Sequence, residues 1–152
     1  MKNEAITQEL ERISNLNGGI LKPEHVVEHA KDPQNPLHSQ FQWDDSKAAH
    51  EYRLWQARQL IRVTVSTIKN TETVERVWVN LKSERATESH GYRKLVSVLN
   101  DEELRKKLIQ QSIEDMEYFQ QKYQRLTELS EVFESMTKAK SQLQEKELDR
   151  AA

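Results

Sequence analysis

The stretch "WDDSKAAHEYRLWQARQLI", residues 43–61, decides how the chain is organised. Leu54, Ala57 and Ile61 recur at steps of three and four, the spacing of one helical face. Asp44, Asp45 or Ser46 stands where an N-cap belongs, and carboxylates there suit the positive end of the helix dipole. On a wheel of about 100° per residue, His50, Ala57 and Ile61 fall close to Leu54, with Ala49 and Leu60 flanking them. Arg58, Arg62, Trp55, Gln59, Tyr52 and Gln56 follow one another in an arc across the helix. A helix that only plugs a core has no need of aromatics and arginines together on its outer side.

Upstream, "AITQELERISNL" (5–16) carries Ile6, Leu10, Ile13 and Leu16 at helical spacing, and "NGG" (17–19) stops that helix because Gly18 or Gly19 can turn left-handed without cost. "LKPEHVVEHAKD" starts a second, shorter helix with Pro23 in its first turn, where a missing N–H is harmless. Val26, Val27 and Ala30 form its apolar face, and "DPQNPLHSQF" (32–41), with two prolines, breaks it.

Downstream the period changes from 3.6 to 2. "RVTVSTI" sets Val63 and Val65 against Thr64 and Ser66, and "VERVWVNL" sets Val77 and Val79 against Arg76 and Trp78, with polar "KNTET" between. This predicts a half-buried antiparallel hairpin. "KSERATESHG" (82–91) reads as a polar linker. From Asn100 or Asp101, apolar positions from Leu104 through Leu108, Ile113, Met116, Phe119, Tyr123, Leu126 and Phe133 to Met136 make a continuous stripe, predicting one helix over 101–146. The fold class is therefore mainly α with one β-hairpin (α+β), in three parts. These are a helical head with its hairpin (1–82), a linker or short segment (83–100) and a long coiled-coil-like helix (101–146).

Apolar residues make up 36% and charged residues 32%, so part of this helical chain is extended and solvated rather than compact. There is no cysteine, which excludes a disulfide framework and thiolate metal sites. "MKNEAITQELERI" is charged and amphipathic, unlike a signal peptide, and no apolar run reaches the roughly 18 residues of a membrane span. The expectation is a protein of the cytoplasm with no membrane partner. Net charge is −2, but Lys47 to Arg85 holds eight basic residues against four acids, so that segment is +4 and the rest −6. Such local excess, more than the total, governs contact with a polyanion.

Catalytic signatures are missing. "HVVEH" (25–29) matches the H-x-x-E-H zinc-peptidase pattern letter for letter, with Glu28 as the base, but no downstream motif supplies a third ligand, and surface histidines are the better reading. Asp44 and Asp45 read as capping residues. No metal, no cofactor and no enzymatic activity are expected.

The order of elements over residues 5–82 resembles a winged helix-turn-helix domain: three helices, then a two-stranded wing. In that family the third helix enters the major groove and the wing flanks it. The resemblance implies double-stranded DNA as partner, contacted by Tyr52, Trp55, Arg58, Gln59 and Arg62, with Lys69 and Arg76 of the hairpin on phosphate. Arg and Gln are base-reading and phosphate-binding side chains, and Tyr and Trp stack or pack on sugars. The same residues are also the commonest anchors of protein interfaces, and Tyr52 and Trp55 could instead pack under the C-terminal helix. A helix of forty residues would run about 60 Å, further than a small head can cover. Part of the stripe must therefore meet another chain or fold back on itself, and the simplest expectation is a homodimer through Leu108, Ile113, Met116, Phe119, Tyr123, Leu126 and Phe133. Finally, "NGGILKPEHVVEHAKDPQNPLHSQFQWDDSKAAHEYRLWQARQLI" with "GYRKLVSVLNDEELRKKLIQQSIEDMEYFQQKYQRLTELSEVF" is similar to phage and prophage proteins of unassigned role, over about residues 17–133. This implies a mobile-element origin and a host-cell cytoplasm. The expected function is a small phage-type DNA-binding protein, a transcriptional or recombination accessory. The alternative is a non-enzymatic structural or adaptor protein that binds a phage or host protein.

Overall fold

The computed structural model describes residues 2–43, 47–68 and 71–151. It divides into two units, 1–105 and 106–152. Unit 1 opens with α1 (Lys2–Leu16), ended as expected by Gly18 and Gly19, both at positive φ. A two-residue strand β1 (Ile20–Leu21) leads into α2 (Pro23–Ala30), with Pro23 in its first turn. The α3 helix spans Lys47–Val63. The expected N-cap residues Asp44, Asp45 and Ser46 lie outside the described residues.

These three helices bury the faces that their periodicity marks. Leu10 and Ile13 of α1, Val26, Val27 and Ala30 of α2, and Leu54, Ala57 and Ile61 of α3 form one cluster with Leu21, Trp78 and Tyr92 of the strands. Each fully buried Leu or Ile contributes about 1.5–3 kcal/mol. Leu16 departs from the expected stripe and is exposed, while Ser14 is buried. The proline-broken segment 31–43 is anchored by Leu37 and Phe41, which enter the same core. It is shaped by Asp32 and Asn35, whose side chains accept from the backbone N–H groups of Gln34 and Leu37. Asn35 also donates to Glu9 on α1 at 2.6 Å, where Arg12 makes a two-pronged ion pair.

The β region differs from the expected simple hairpin. β2 (Val65–Thr67) pairs with β3 (Val74–Arg76) in the register Val65↔Arg76, Ser66↔Glu75, Thr67↔Val74. The chain then leaves that ribbon. β4 (Trp78–Val79) joins a second, three-stranded antiparallel sheet in the order β1-β5-β4, where β5 is Tyr92–Lys94. Val77 is the switch: its N–H donates to Thr64 and its carbonyl accepts from Leu95. Because the partner changes there, the expected alternation fails, and the adjacent Val77 and Trp78 are both buried. Val63 and Val65, expected on a covered face, are exposed, so the β2–β3 ribbon is not half buried. Residues 83–100 contain a buried Glu84, β5 and the short helix α4 (Leu95–Asn100), all within unit 1.

The C-terminal region is two helices, not one. α5 (Glu102–Tyr123) and α6 (Ser130–Ala151) are separated by a 3₁₀ turn at Thr127–Leu129. The break contains neither glycine nor proline. Its reason is packing: a continuous helix would leave the aromatic stripe on water, whereas two antiparallel helices bring Phe133 of α6 against Phe119, at 6.2 Å between ring centroids, beside the Phe119–Tyr123 pair within α5 at 4.9 Å. Gln120 closes the seam, donating to the Phe133 carbonyl and Thr137 and accepting from Lys140. Of the residues expected to dimerise the chain, Ile113 is buried, Leu108, Met116, Phe119, Tyr123 and Phe133 are half-buried, and Leu126 is exposed at the turn. The 60 Å helix that called for a second chain is therefore absent.

Two outcomes follow from these contacts. Phe119→Ala is expected to destabilise unit 2 by about 2 kcal/mol, read by thermal melting over a wide range of protein concentration. The loss is independent of concentration if the seam is intramolecular, and a concentration-dependent midpoint would put the seam between chains. Hydrogen bonding from Arg12 holds the Glu9 carboxyl below the usual carboxylate range, with burial opposing it and Asn35 helping. A depressed folded-state pKa contributes stability above the unfolded value of about 4.3 and loses it as pH falls through the folded value. Glu9→Gln should therefore cost about 1 kcal/mol at neutral pH and nothing in strong acid; equal costs in denaturant titrations at pH 7 and pH 2 would refute this linkage.

Candidate functional site

The outer face of α3 carries the arc expected from the sequence. Leu54, Ala57 and Ile61 point inward. Tyr52 is 44% and Trp55 50% exposed, and their rings stack at 5.6 Å between centroids with an interplanar angle of 15°. They lie on the surface rather than in a core. Gln59 and Arg58 are half-buried and Arg62 is exposed. Arg76 is exposed on β3, and Lys69 lies outside the described residues.

Arg58 and Arg62 share a depression of about 340 Å³. Its other walls are Pro23 and Glu24 at the start of α2, and Asn80, Arg85, His90, Gly91 and Tyr92 of the segment joining β4 to β5. Three guanidinium groups and an imidazole thus surround one carboxylate. Neither Arg58 nor Arg62 makes a side-chain hydrogen bond or ion pair among the described residues, and both line this depression. A second depression of about 330 Å³, between α1 and residues 33–40, has no Lys, Arg, Asp or Glu in its lining. Charge therefore singles out the first.

The 80–91 segment is held by its own hydrogen bonds. Asn80 donates to the Gly91 carbonyl at 2.5 Å and accepts from Arg85 Nε at 2.7 Å. Lys22 Nζ donates to the Glu88 carbonyl. Thr87 accepts from the N–H groups of His90 and Ser89. His90 Nδ1 lies 2.9 Å from the Thr87 carbonyl and is the donor there, since a carbonyl only accepts. Gly91 sits at φ +140°, and a Cβ there would come within 2.9 Å of the Leu21 carbonyl and the Ile20 side chain, so only glycine lets the segment close onto β1. Beneath, Glu84 is 6% exposed and meets Arg93 of β5 in a two-pronged pair, Nε to Oε2 at 2.8 Å and Nη2 to Oε1 at 3.1 Å.

Sequence reading found Arg58 and Arg62 but missed Arg85, His90 and Asn80, since residues 82–91 carry no periodicity. The signal available was the count of Arg85 within the +4 segment, together with a glycine at the end of a polar run. The "HVVEH" residues do not converge on a metal: among the described residues no three His, Cys, Asp or Glu side chains gather into a possible ligand set. His29 Nδ1 lies 3.3 Å from the Arg12 guanidinium. His25 Nδ1 is buried with no hydrogen-bond partner among the described residues. Burial, aided by neighbouring Lys22, pushes the pKa of His25 down. No described helix is long and apolar enough to cross a membrane.

Compared with known proteins, the chain matches no protein family, no curated protein and no solved structure.

Removing the Glu84 carboxylate should strand Arg93 and release the 80–91 segment. Glu84→Ala is expected to destabilise unit 1 by about 3 kcal/mol, the cost of breaking a buried ion pair. Backbone amide exchange over residues 80–91 should accelerate, and unchanged exchange with unchanged stability would show that the pair does not hold the segment.

Proposed function

We propose that this chain binds double-stranded DNA through the outer face of α3, without enzymatic activity of its own. The observation that carries this reading is the pair of unpartnered guanidinium groups, Arg58 and Arg62, on the same exposed helix as the Tyr52–Trp55 stack. Guanidinium groups fork onto phosphate or a guanine edge, Gln59 suits adenine, and flat rings pack on sugars and bases.

The order of elements supports it. We read helix α1, strand β1, helices α2 and α3, and the sheet order β1-β5-β4 as the frame of a winged helix-turn-helix-like head. In this correspondence the wing is the 80–91 segment with Arg85. The β2–β3 ribbon, read from sequence as the wing, is then an insertion between α3 and β4. The role we propose for such binding is accessory to phage or prophage transcription or recombination.

One observation favours the alternative of a protein-binding adaptor: Val63, Val65, Ile68 and Val74 are all exposed on or beside the β2–β3 ribbon. Fluorescence anisotropy of a labelled duplex, at about 50 and 200 mM salt, separates the readings. DNA binding should weaken by at least tenfold between these salts, and Arg58→Ala and Arg62→Ala should each flatten the log–log salt slope by about 0.9. Trp55→Ala should weaken binding at both salts without changing the slope. No binding at the lower salt, or full affinity in the folded double variant, would refute the DNA reading and favour the apolar ribbon.

A further inference from the structure

The depression between α3, the start of α2 and the 80–91 segment has a composition that points beyond general attraction to a polyanion. Arg58 and Arg62 are one turn apart on a rigid helix, so their spacing is fixed by backbone geometry. Arg85 approaches from a different element, with its Nε held on Asn80 Oδ1. Its two terminal nitrogens make no hydrogen bond or ion pair among the described residues. Asn80 is itself fixed to Gly91, and Gly91 to the edge of β1, so the third guanidinium is positioned before any ligand arrives. Preorganised donors bind an anion without first losing side-chain freedom.

Glu24 offsets one of the three positive charges, leaving a net excess of two. A single carboxylate would engage one fork and leave two cations facing each other. A tetrahedral group with several oxygens and about two negative charges engages all three, because each guanidinium presents paired N–H donors matched to two oxygens. A volume of about 340 Å³ accommodates such a group with its water.

We propose that this depression is a phosphoryl-binding seat formed by Arg58, Arg62 and Arg85, with Asn80 as the residue that positions Arg85. Where the ligand is DNA, two successive backbone phosphates supply the two negative charges and the seat fixes the register of α3 on the duplex, and to that extent it rests on the DNA-binding reading. A free phosphate compound satisfies the same chemistry.

The experiment has two arms on the full chain. In the first, pyrophosphate is titrated at constant ionic strength while the arginine Nε–H resonances are followed by nuclear magnetic resonance. The signals of Arg58, Arg62 and Arg85 should shift together along one saturation curve, and Arg125 should not follow. In the second, Arg85→Gln is compared with wild type for duplex binding. It should weaken affinity by about tenfold and lower the salt slope by about 0.9, with an unchanged circular dichroism spectrum. Should Arg85→Gln fail to fold, Arg62→Gln carries the same test from the α3 side. Saturable pyrophosphate binding without any duplex binding supports the seat, identifies a free phosphate compound as its ligand and removes the DNA reading. Duplex binding that is indifferent to Arg85→Gln, with no pyrophosphate response, overturns the seat and leaves the DNA reading standing. A shift of all arginine signals alike, Arg125 included, is ion screening and also overturns it.

Discussion

Val77 donates its N–H to Thr64, just ahead of β2, and accepts at its carbonyl from Leu95, just after β5, and the architecture of unit 1 depends on this division. Had the strand continued in register with β2, residues 74–81 would have formed one arm of a simple ribbon projecting from the end of α3. The transfer at Val77 instead turns Trp78 inward onto the core and lays β4 beside β5, which in turn pairs with β1. The chain between β4 and β5 then has to close a short gap, and it brings Asn80, Arg85 and His90 to the side of α3 that bears Arg58 and Arg62. A change of hydrogen-bond partner at one residue thereby produces a basic concavity from segments remote in sequence.

The helices of unit 1 were legible because their apolar spacing is long enough to be unambiguous and their ends carry chemistry: Gly18 and Gly19 after α1, Pro23 opening α2. The outward arc of α3 was legible for the same reason, since fixing Leu54, Ala57 and Ile61 inward fixes Tyr52, Trp55 and Arg62 outward. β1 and β5 were not. Two or three residues cannot establish a period, and their pairing partners, Ile20 with Arg93 and Leu21 with Tyr92, lie more than seventy positions apart. Trp78 was assigned to the outer face because alternation assumes one continuous strand, and Val77 ends that continuity.

The break between α5 and α6 is a different kind of silence. Sequence reading identifies breakers, and residues 124–129 contain no glycine or proline. The stripe itself was read correctly as a surface needing cover, and both solutions, a second chain or a fold back on itself, satisfy that need. The second brings Phe119 to Phe133 within one chain and lets Gln120 bond Phe133, Thr137 and Lys140 across the seam. Local preference at the turn is outweighed by burial distributed along the two helices, a balance that no short window can display.

Charge counting along the chain also misjudges how basic the site is. Within residues 47–85, Glu84 cancels one of the arginines on paper, and its neighbour Arg85 is the natural candidate. In the fold Glu84 is buried and pairs with Arg93, which lies outside the counted segment. Arg85 keeps its own charge and faces Arg58 and Arg62 across the depression. A buried carboxylate needs a charged, hydrogen-bonded partner wherever the packing supplies one, so the packing that pairs Glu84 with Arg93 leaves the charge of the adjacent Arg85 on the wall of the depression.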